Sequence, residues 1–560
     1  MQNVLTTDTK KVFMRPVQAT FSYTDNDSLT ISEAAVAMKV SEASIRNWIK
    51  TGYLQIIGKK RISLASFDAF RKNVVGSDKL TARANKSGFD HHDHAELTGL
   101  VTEMVSNPGY TGDSLSTYYE GALSQSYRNA EGVYYTPPNI CDSFFSHLLG
   151  DRSKTIFFDP CCGSGNFLLA ALRAGFQQDN VFGCDVDETA VAIAKRRIED
   201  ATGRRCSTVF HADFLQNHED LACIPSPDVI FTNPPWGKKL TSAEREKLVK
   251  AHSCNKSLDT SGIFLLACKK ILAPEGCYGM VMPEAFYNVS SFEVARRALL
   301  EDQLVSVFDH GKAFAGLLSG AVSFVAFKKA PNSNFAVKCG SSTRQTVREH
   351  ASFLRNPSAI INYVATADEA NLIEYVYGLP HTTMAGHAKW ALGIVTGNNK
   401  RHLSPTPRDG FVPVYRGADI ERGALKKPTN FISEDFSGFQ QVAPRAMYEA
   451  PEKLIYRFIS SRLVFYHDTN QSMILNSANL VIPHETFPVS MKILAEYLSS
   501  DFINWLYCKV FATHKVLRSD LERLPILTEY LADLQDFDEE KLLQLIGIER
   551  TSSGSYRIKE

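Results

Sequence analysis

A short run, Asn233-Pro234-Pro235-Trp236, closes the apolar stretch from Val229 to Phe231 and combines residue types that can act on an amino group. Two consecutive prolines restrict the loop, so the Pro234 carbonyl points in a set direction. An aromatic amine is a weak nucleophile because its lone pair is delocalised into the ring. Two acceptors aimed at its hydrogens, the Asn233 side-chain oxygen and the Pro234 carbonyl, would favour a pyramidal nitrogen able to attack an electrophilic carbon. Trp236 offers a flat face for a stacked base. The alternative is a structural Asn-Pro turn, against which stands its place after a strand in the fourth unit of a series.

The first three units of that series carry acids. "TIFFDPCCGSGNFLLAALRAG" reads as a buried strand, a glycine-containing turn and an amphipathic helix. Such a turn opens a crevice at the carboxyl end of a sheet, where ligands bind in open α/β folds. Gly163 and Gly165 are expected to let the backbone approach a ligand. The turn lacks both a dinucleotide fingerprint and a phosphate-loop lysine. Asp159 at the strand tip, followed by Pro160, would repel a pyrophosphate but could hold a cationic amino group, which suits the methionine end of S-adenosylmethionine. In "VFGCDVDETAVAIAKRRI", Asp185 is placed to accept ribose hydroxyls, whereas Asp187 reads as a helix cap. In "STVFHADFL", Asp213 suits an adenine amino group and Phe214 could lie against the ring. Each acid alone could be a helix cap; three successive strand tips point to one shared crevice. With a sulfonium as leaving group, the chemistry needs no metal.

Alternating strands and helices of this kind require a mostly parallel α/β sheet. At 560 residues the chain calls for more than one core. Three parts are expected: a helix-turn-helix module with linker over 1–95, the α/β body over 96–335, and a domain of short strands and polar turns with a final helical segment over 336–560. In the first part, Ile31, Ala34, Ala35 and Met38 share one helical face, and Ile45, Trp48 and Ile49 face inward on a second helix; a hairpin and a third helix follow. This segment resembles the winged helix-turn-helix of excisionase- and MerR-type DNA binders. Ser44, Arg46, Asn47 and Lys50 are its candidate DNA contacts, with Lys59, Lys60 and Arg61 on the wing; a plain packing module is the other reading. "FDHHDHAE", with His91, His92 and His94, reads as a polar linker. Lysine plus arginine equals aspartate plus glutamate, 61 each, so any nucleic-acid contact must come from local basic surfaces. Eleven cysteines without a Cys-x-x-Cys pair favour reduced thiols and no zinc. No apolar run approaches the ~20 residues of a membrane span, and the N-terminus lacks a signal-peptide pattern, so a cytoplasmic protein is expected.

"DPCCGSGNF", "GCDVD", "HADF" and "NPPW", in this order and spacing, resemble the gamma-class amino-methyltransferases of restriction–modification systems. The resemblance covers roughly residues 115–329. It implies a class I S-adenosylmethionine-dependent methyltransferase fold (Rossmann-like, mixed mostly parallel sheet) and N6-adenine as target, the latter inherited from motif order. It also implies that Tyr135, Thr136 and Pro137 line the cofactor site and that Phe314 stacks on a flipped base. Tryptophan replaces the tyrosine often found at the position of Trp236. The region after 336 resembles the family's target-recognition domain, with Arg416, and also Lys400, Arg401, Arg457 and Arg462, as candidate DNA contacts. The implied partners are double-stranded DNA and a cognate restriction endonuclease, with the protein a monomer. Three rivals stay open: a fused enzyme that also cuts DNA, a methyltransferase of RNA or protein amides, and a non-enzymatic helix-turn-helix regulator.

Overall fold

The computed structural model describes residues 28–38, 42–50, 54, 56–57, 61–73, 91–123, 127–128, 131–217, 224–314, 319–332, 334–511 and 515–559. The chain divides into two compact units, Met1–Phe89 and Asp90–Glu560.

In the first unit, helices Ile31–Met38 and Glu42–Lys50 precede an antiparallel pair, Ile56–Ile57 and Arg61–Ser63, and a third helix, Leu64–Asn73. Strand Ser28–Leu29 adds to the other edge of Arg61–Ser63. The expected inward residues do close a core: Ala34, Ala35, Ile45 and Trp48 are buried with Ile62, Phe67 and Phe70, while Ile31, Met38 and Ile49 pack against them. Arg61, exposed on the second strand of the antiparallel pair, donates to Ser28 Oγ and to its backbone oxygen.

The second unit opens with helices α1 (His91–Val105) and α2 (Gly112–Ala122). The polar run expected as linker is therefore the first turn of a helix; the side chains of His91, His92 and His94 lie outside the described residues. Helix α3 (Pro138–Phe145) leads into a sheet of nine strands: β1 (Phe157–Asp159), β2 (Val181–Asp185), β3 (Val209–His211), β4 (Val229–Thr232), β5 (Cys277–Pro283), β6 (Gln303–Gly311), β7 (Ala321–Phe327), β8 (Ala336–Ser341) and β9 (Gln345–Glu349). Their order is β3-β2-β1-β4-β5-β7-β6-β8-β9. Strands β1 to β5 are parallel to one another, and β7 runs antiparallel between β5 and β6. Phe157, Phe158, Ile230 and Phe231 are wholly buried, as central strands covered on both faces require. The chain leaves β1 towards β2 and β3, then returns to its other side as β4, so the crevice between the β1 and β4 tips is the switch point where open α/β sheets bind ligands. The boundary expected at 335 falls inside this sheet, because β8 and β9 extend it to Glu349.

Beyond it, two four-stranded sheets and the helices Met491–Leu498 and Asp501–Val510 build the C-terminal region. It is joined to the α/β body by Asn288 Nδ2, which donates to the Phe511 carbonyl at 2.8 Å, and by the Arg523–Glu293 ion pair at 3.6 Å. Inside it, Lys453 and Asp468 form a fully buried ion pair at 2.5 Å. Lys453 also donates to the Tyr448 carbonyl, and Asp468 accepts from the Ser472 N–H and hydroxyl. Removing one partner strands a charge, so Asp468→Ala is expected to cost about 3–5 kcal/mol in denaturant unfolding of this region.

Candidate active site

Four strand tips meet at one cleft, whose walls include Tyr135, Thr136, Asp159, Gly163, Asp185 and Asn233. Asp159 is almost fully buried, and its Oδ1 accepts from the Thr232 hydroxyl at 2.6 Å and the Cys161 N–H at 3.2 Å. Burial outweighs these donors and pushes its carboxyl up to about 7. Asp185 accepts the Gly163 N–H at 2.8 Å and the Asp187 N–H at 2.9 Å, and burial pushes it to about 6. Asp187 caps helix α5 (Glu188–Thr202) through the Thr189 and Ala190 N–H groups, as its position suggested. Asp213 also lines the cleft while accepting from the Gln216 backbone and side chain. Phe214 is a core ring, packed on Phe158 and Phe264, that forms part of the cleft wall.

The two glycines of the turn do different work. Gly163 has φ +50°, and a Cβ there would come within 2.9 Å of the Tyr135 ring. Gly165, at φ +91°, caps helix α4 (Asn166–Arg173); its added Cβ would meet Ala194 on α5 at 3.1 Å. It serves close helix packing and does not line the cleft, contrary to the expected approach to a ligand.

A strap over residues 131–136 lies against the Asn233–Trp236 loop. Asn233 Nδ2 donates to the Tyr134 carbonyl at 2.6 Å, the Trp236 N–H to the Gly132 carbonyl at 3.2 Å, and Lys238 pairs with Glu131 at 3.0 Å. With its amide nitrogen engaged, the buried Asn233 Oδ1 has no partner among the described residues; the Thr136 hydroxyl in the same cleft has none among them either. Buried acceptors of this kind are rare because leaving them unpaired costs free energy. Pro137 caps α3, its carbonyl accepting from the Ile140 and Cys141 N–H groups, and does not line the cleft. Pro160 and Pro235 do line it.

Trp236 is not an open stacking platform. Its indole is buried, donates to the Val281 carbonyl, and meets the Phe314 ring edge-on at 5.3 Å and 89°. Tyr134 closes the trio at 6.1 Å from Trp236 and 6.0 Å from Phe314. Sequence reading missed Gly132, Tyr134 and Thr232; the only trace was a glycine two residues ahead of the Tyr134-Tyr135 pair.

Residues 110–309 match the N-6 DNA Methylase family and residues 412–526 the TaqI-like C-terminal specificity domain. The type II methyltransferase M.VspI of Vibrio sp. (strain 343) is 40% identical over 404 residues, covering 72% of this chain and 98% of that protein. The chain belongs to the type II DNA methyltransferases. M.BanIII of Aneurinibacillus aneurinilyticus is 28% identical over 220 residues, 34% of this methyltransferase and 38% of its own length. Among solved structures, the type IIL restriction–modification enzyme MmeI in complex with DNA aligns at a TM-score of 0.49 and 12% identity, over 84% of this chain and 74% of that one.

The methyltransferase's residues fit S-adenosylmethionine, the cofactor of this family. Buried Asp159 and half-buried Asp185, on adjacent strand tips, suit an ammonium group and ribose hydroxyls. The Thr136 hydroxyl, without a partner among the described residues, is available to a polar ligand atom, and Gly163 keeps open a space that a Cβ would fill. Asp159 gains a proton as pH falls through about 7, which removes its attraction for an ammonium. Cofactor affinity is therefore expected to fall below pH 7 by up to about tenfold per pH unit, measured by calorimetry.

The candidate DNA contacts are less uniform. Arg46 is exposed and pairs with Glu42 at 2.6 Å; the side chains of Ser44, Asn47 and Lys50, and all of Lys59 and Lys60, lie outside the described residues. Arg416 is exposed, donating to Asn430 Oδ1 at 2.8 Å. Arg457 is spent on the Ile420 carbonyl and Arg462 on Asp501, whereas Lys400 and Arg401 are exposed. Among the described residues, no helix is long and apolar enough to cross a membrane.

Proposed function

We propose that this methyltransferase moves the methyl group of S-adenosylmethionine to the exocyclic N6 of adenine at a short sequence in duplex DNA. The carrying observation is the unpaired Asn233 Oδ1, held in place through Nδ2 and the Tyr134 carbonyl. When bound, the cofactor supplies an electrophilic methyl on sulfur. Asp159 holds its ammonium group, Asp185 its ribose hydroxyls and Asp213 its adenine amine. Asn233 Oδ1 and the Pro234 carbonyl each accept a hydrogen bond from the target amine and turn its lone pair towards the methyl carbon, and the methylated nitrogen then loses its surplus proton to solvent. An amine inside a duplex cannot reach this point, so the base swings out, and Tyr134, the ring of the trio that lines the cleft, faces it while Trp236 and Phe314 back that ring from the core. Adenine is favoured over cytosine by the order of motifs, cofactor turn before catalytic loop. The C-terminal region, with Arg416, Lys400 and Arg401, holds the opened duplex.

The enzyme acts as a cytoplasmic monomer that protects host DNA from a cognate endonuclease. The first unit binds DNA through helix Glu42–Lys50; deleting residues 1–89 is expected to leave the modified sequence unchanged if that binding is regulatory. A panel of duplex DNA, RNA and glutamine peptides with labelled cofactor tests the reading: label in DNA alone supports it, and label in RNA or peptide alone refutes it.

A further inference from the structure

Thr232 ends β4, is wholly buried, and immediately precedes Asn233. The rest of that strand, Val229 to Phe231, is apolar, so packing gives no reason for a hydroxyl at this position. A buried hydroxyl is costly unless it is hydrogen-bonded. This one donates to Asp159 Oδ1 at 2.6 Å and lies 2.8 Å from the Cys161 thiol. The thiol also reaches the Asn233 backbone carbonyl at 3.4 Å. A hydroxyl has one proton, here given to Asp159, and the thiol has one, which is shared between the Thr232 oxygen and the Asn233 carbonyl. One chain of polar contacts thus runs from the cofactor side of the cleft to the base of the catalytic loop.

We propose that Thr232 is a positioning residue of the methyl transfer, keeping Asp159 ionised towards the cofactor and fixing the start of the Asn233 loop. The proposal rests on Asp159 being the seat of the cofactor's ammonium group. Among the described residues, the titratable groups coupled to Asp159 are Asp185 and Cys184 on β2, Cys161 and Cys162 in the turn, Cys141 on α3, and Cys268 on helix Thr260–Ile271, while Lys238 lines the same cleft and acts on Asp185. The Thr232 hydroxyl and the Cys161 N–H are the donors that oppose the burial of its charge.

The test is S-adenosylmethionine binding to the full chain by calorimetry across neutral and mildly alkaline pH, with single-turnover rates at saturating cofactor. Thr232→Val is expected to bind about tenfold more weakly at neutral pH, the loss of one hydrogen bond to a charged group. Its affinity should recover as pH rises, displacing the profile to the alkaline side, and its single-turnover rate should fall. Thr232→Ser should restore both. If the valine protein does not fold, Thr232→Ala carries the same expectation. A valine or alanine protein with the wild-type profile overturns the proposal, as does a serine protein that fails as valine does. Asp159→Asn separates the two layers: if it binds with wild-type affinity and pH dependence, the reading of Asp159 falls, whatever Thr232 does.

Discussion

Asn233→Ala is expected to lower single-turnover methyl transfer about 10²–10³-fold, the range for deleting one preorganised polar group from an active site, with cofactor affinity unchanged. The separation follows from the positions of the groups. In the proposed reading the cofactor's ammonium and ribose fall to Asp159 and Asp185, whereas Asn233 Oδ1 is the acceptor without a partner among the described residues, on the Asn233–Trp236 loop. Alanine deletes that acceptor together with the Nδ2 bond to the Tyr134 carbonyl. Asn233→Asp keeps an acceptor but sets a carboxylate against that carbonyl, so it should not rescue the rate. Calorimetry with S-adenosylmethionine and rapid-quench transfer to duplex DNA check both halves. An alanine variant that lost cofactor binding in proportion to rate would move Asn233 into the cofactor site.

Gly132→Ala is the second large effect. Gly132 has φ +70°, and an added Cβ would lie 2.3 Å from the Trp236 carbonyl oxygen and 2.6 Å from its nitrogen. These are backbone atoms that cannot swing aside, so the strap must lift from the loop it positions. A displacement of about 1 Å at a reacting centre costs roughly 10²-fold in rate, and forced overpacking costs about 1–3 kcal/mol of stability. Gly203→Ala isolates the cause. Gly203 has φ +69° at the end of α5 with nothing near its would-be Cβ, so it carries the backbone strain without the clash. Gly203→Ala should keep full activity with a modest loss of stability, and Gly132→Ala should lose both. Equal rates in the two variants would remove the strap from the account.

The strand tips were legible because each apolar run stops abruptly at an acid or at the Asn-Pro pair, and the core residues of the first unit because helical spacing groups them. The strap was not. The bond from Asn233 to Tyr134 spans 99 positions and ends on a backbone carbonyl, which any residue could supply. Gly165 reads like Gly163 in sequence, yet only the packing of α4 on α5 separates their roles. Trp236 and Phe314 were expected as aromatics in the site, but periodicity does not reveal that they bury one another. The histidine run looked like a linker because polar composition alone does not exclude a helix, and the end of the sheet was misplaced because β8 and β9 follow a polar turn that resembles a domain boundary.

The most direct test is nucleoside analysis of DNA from a host expressing the protein, combined with sequencing of modified bases. N6-methyldeoxyadenosine confined to one short recurring sequence, and missing from a host carrying Asn233→Ala, is the expected result. N4-methyldeoxycytidine in its place, or adenine marks undiminished by the alanine substitution, would contradict it.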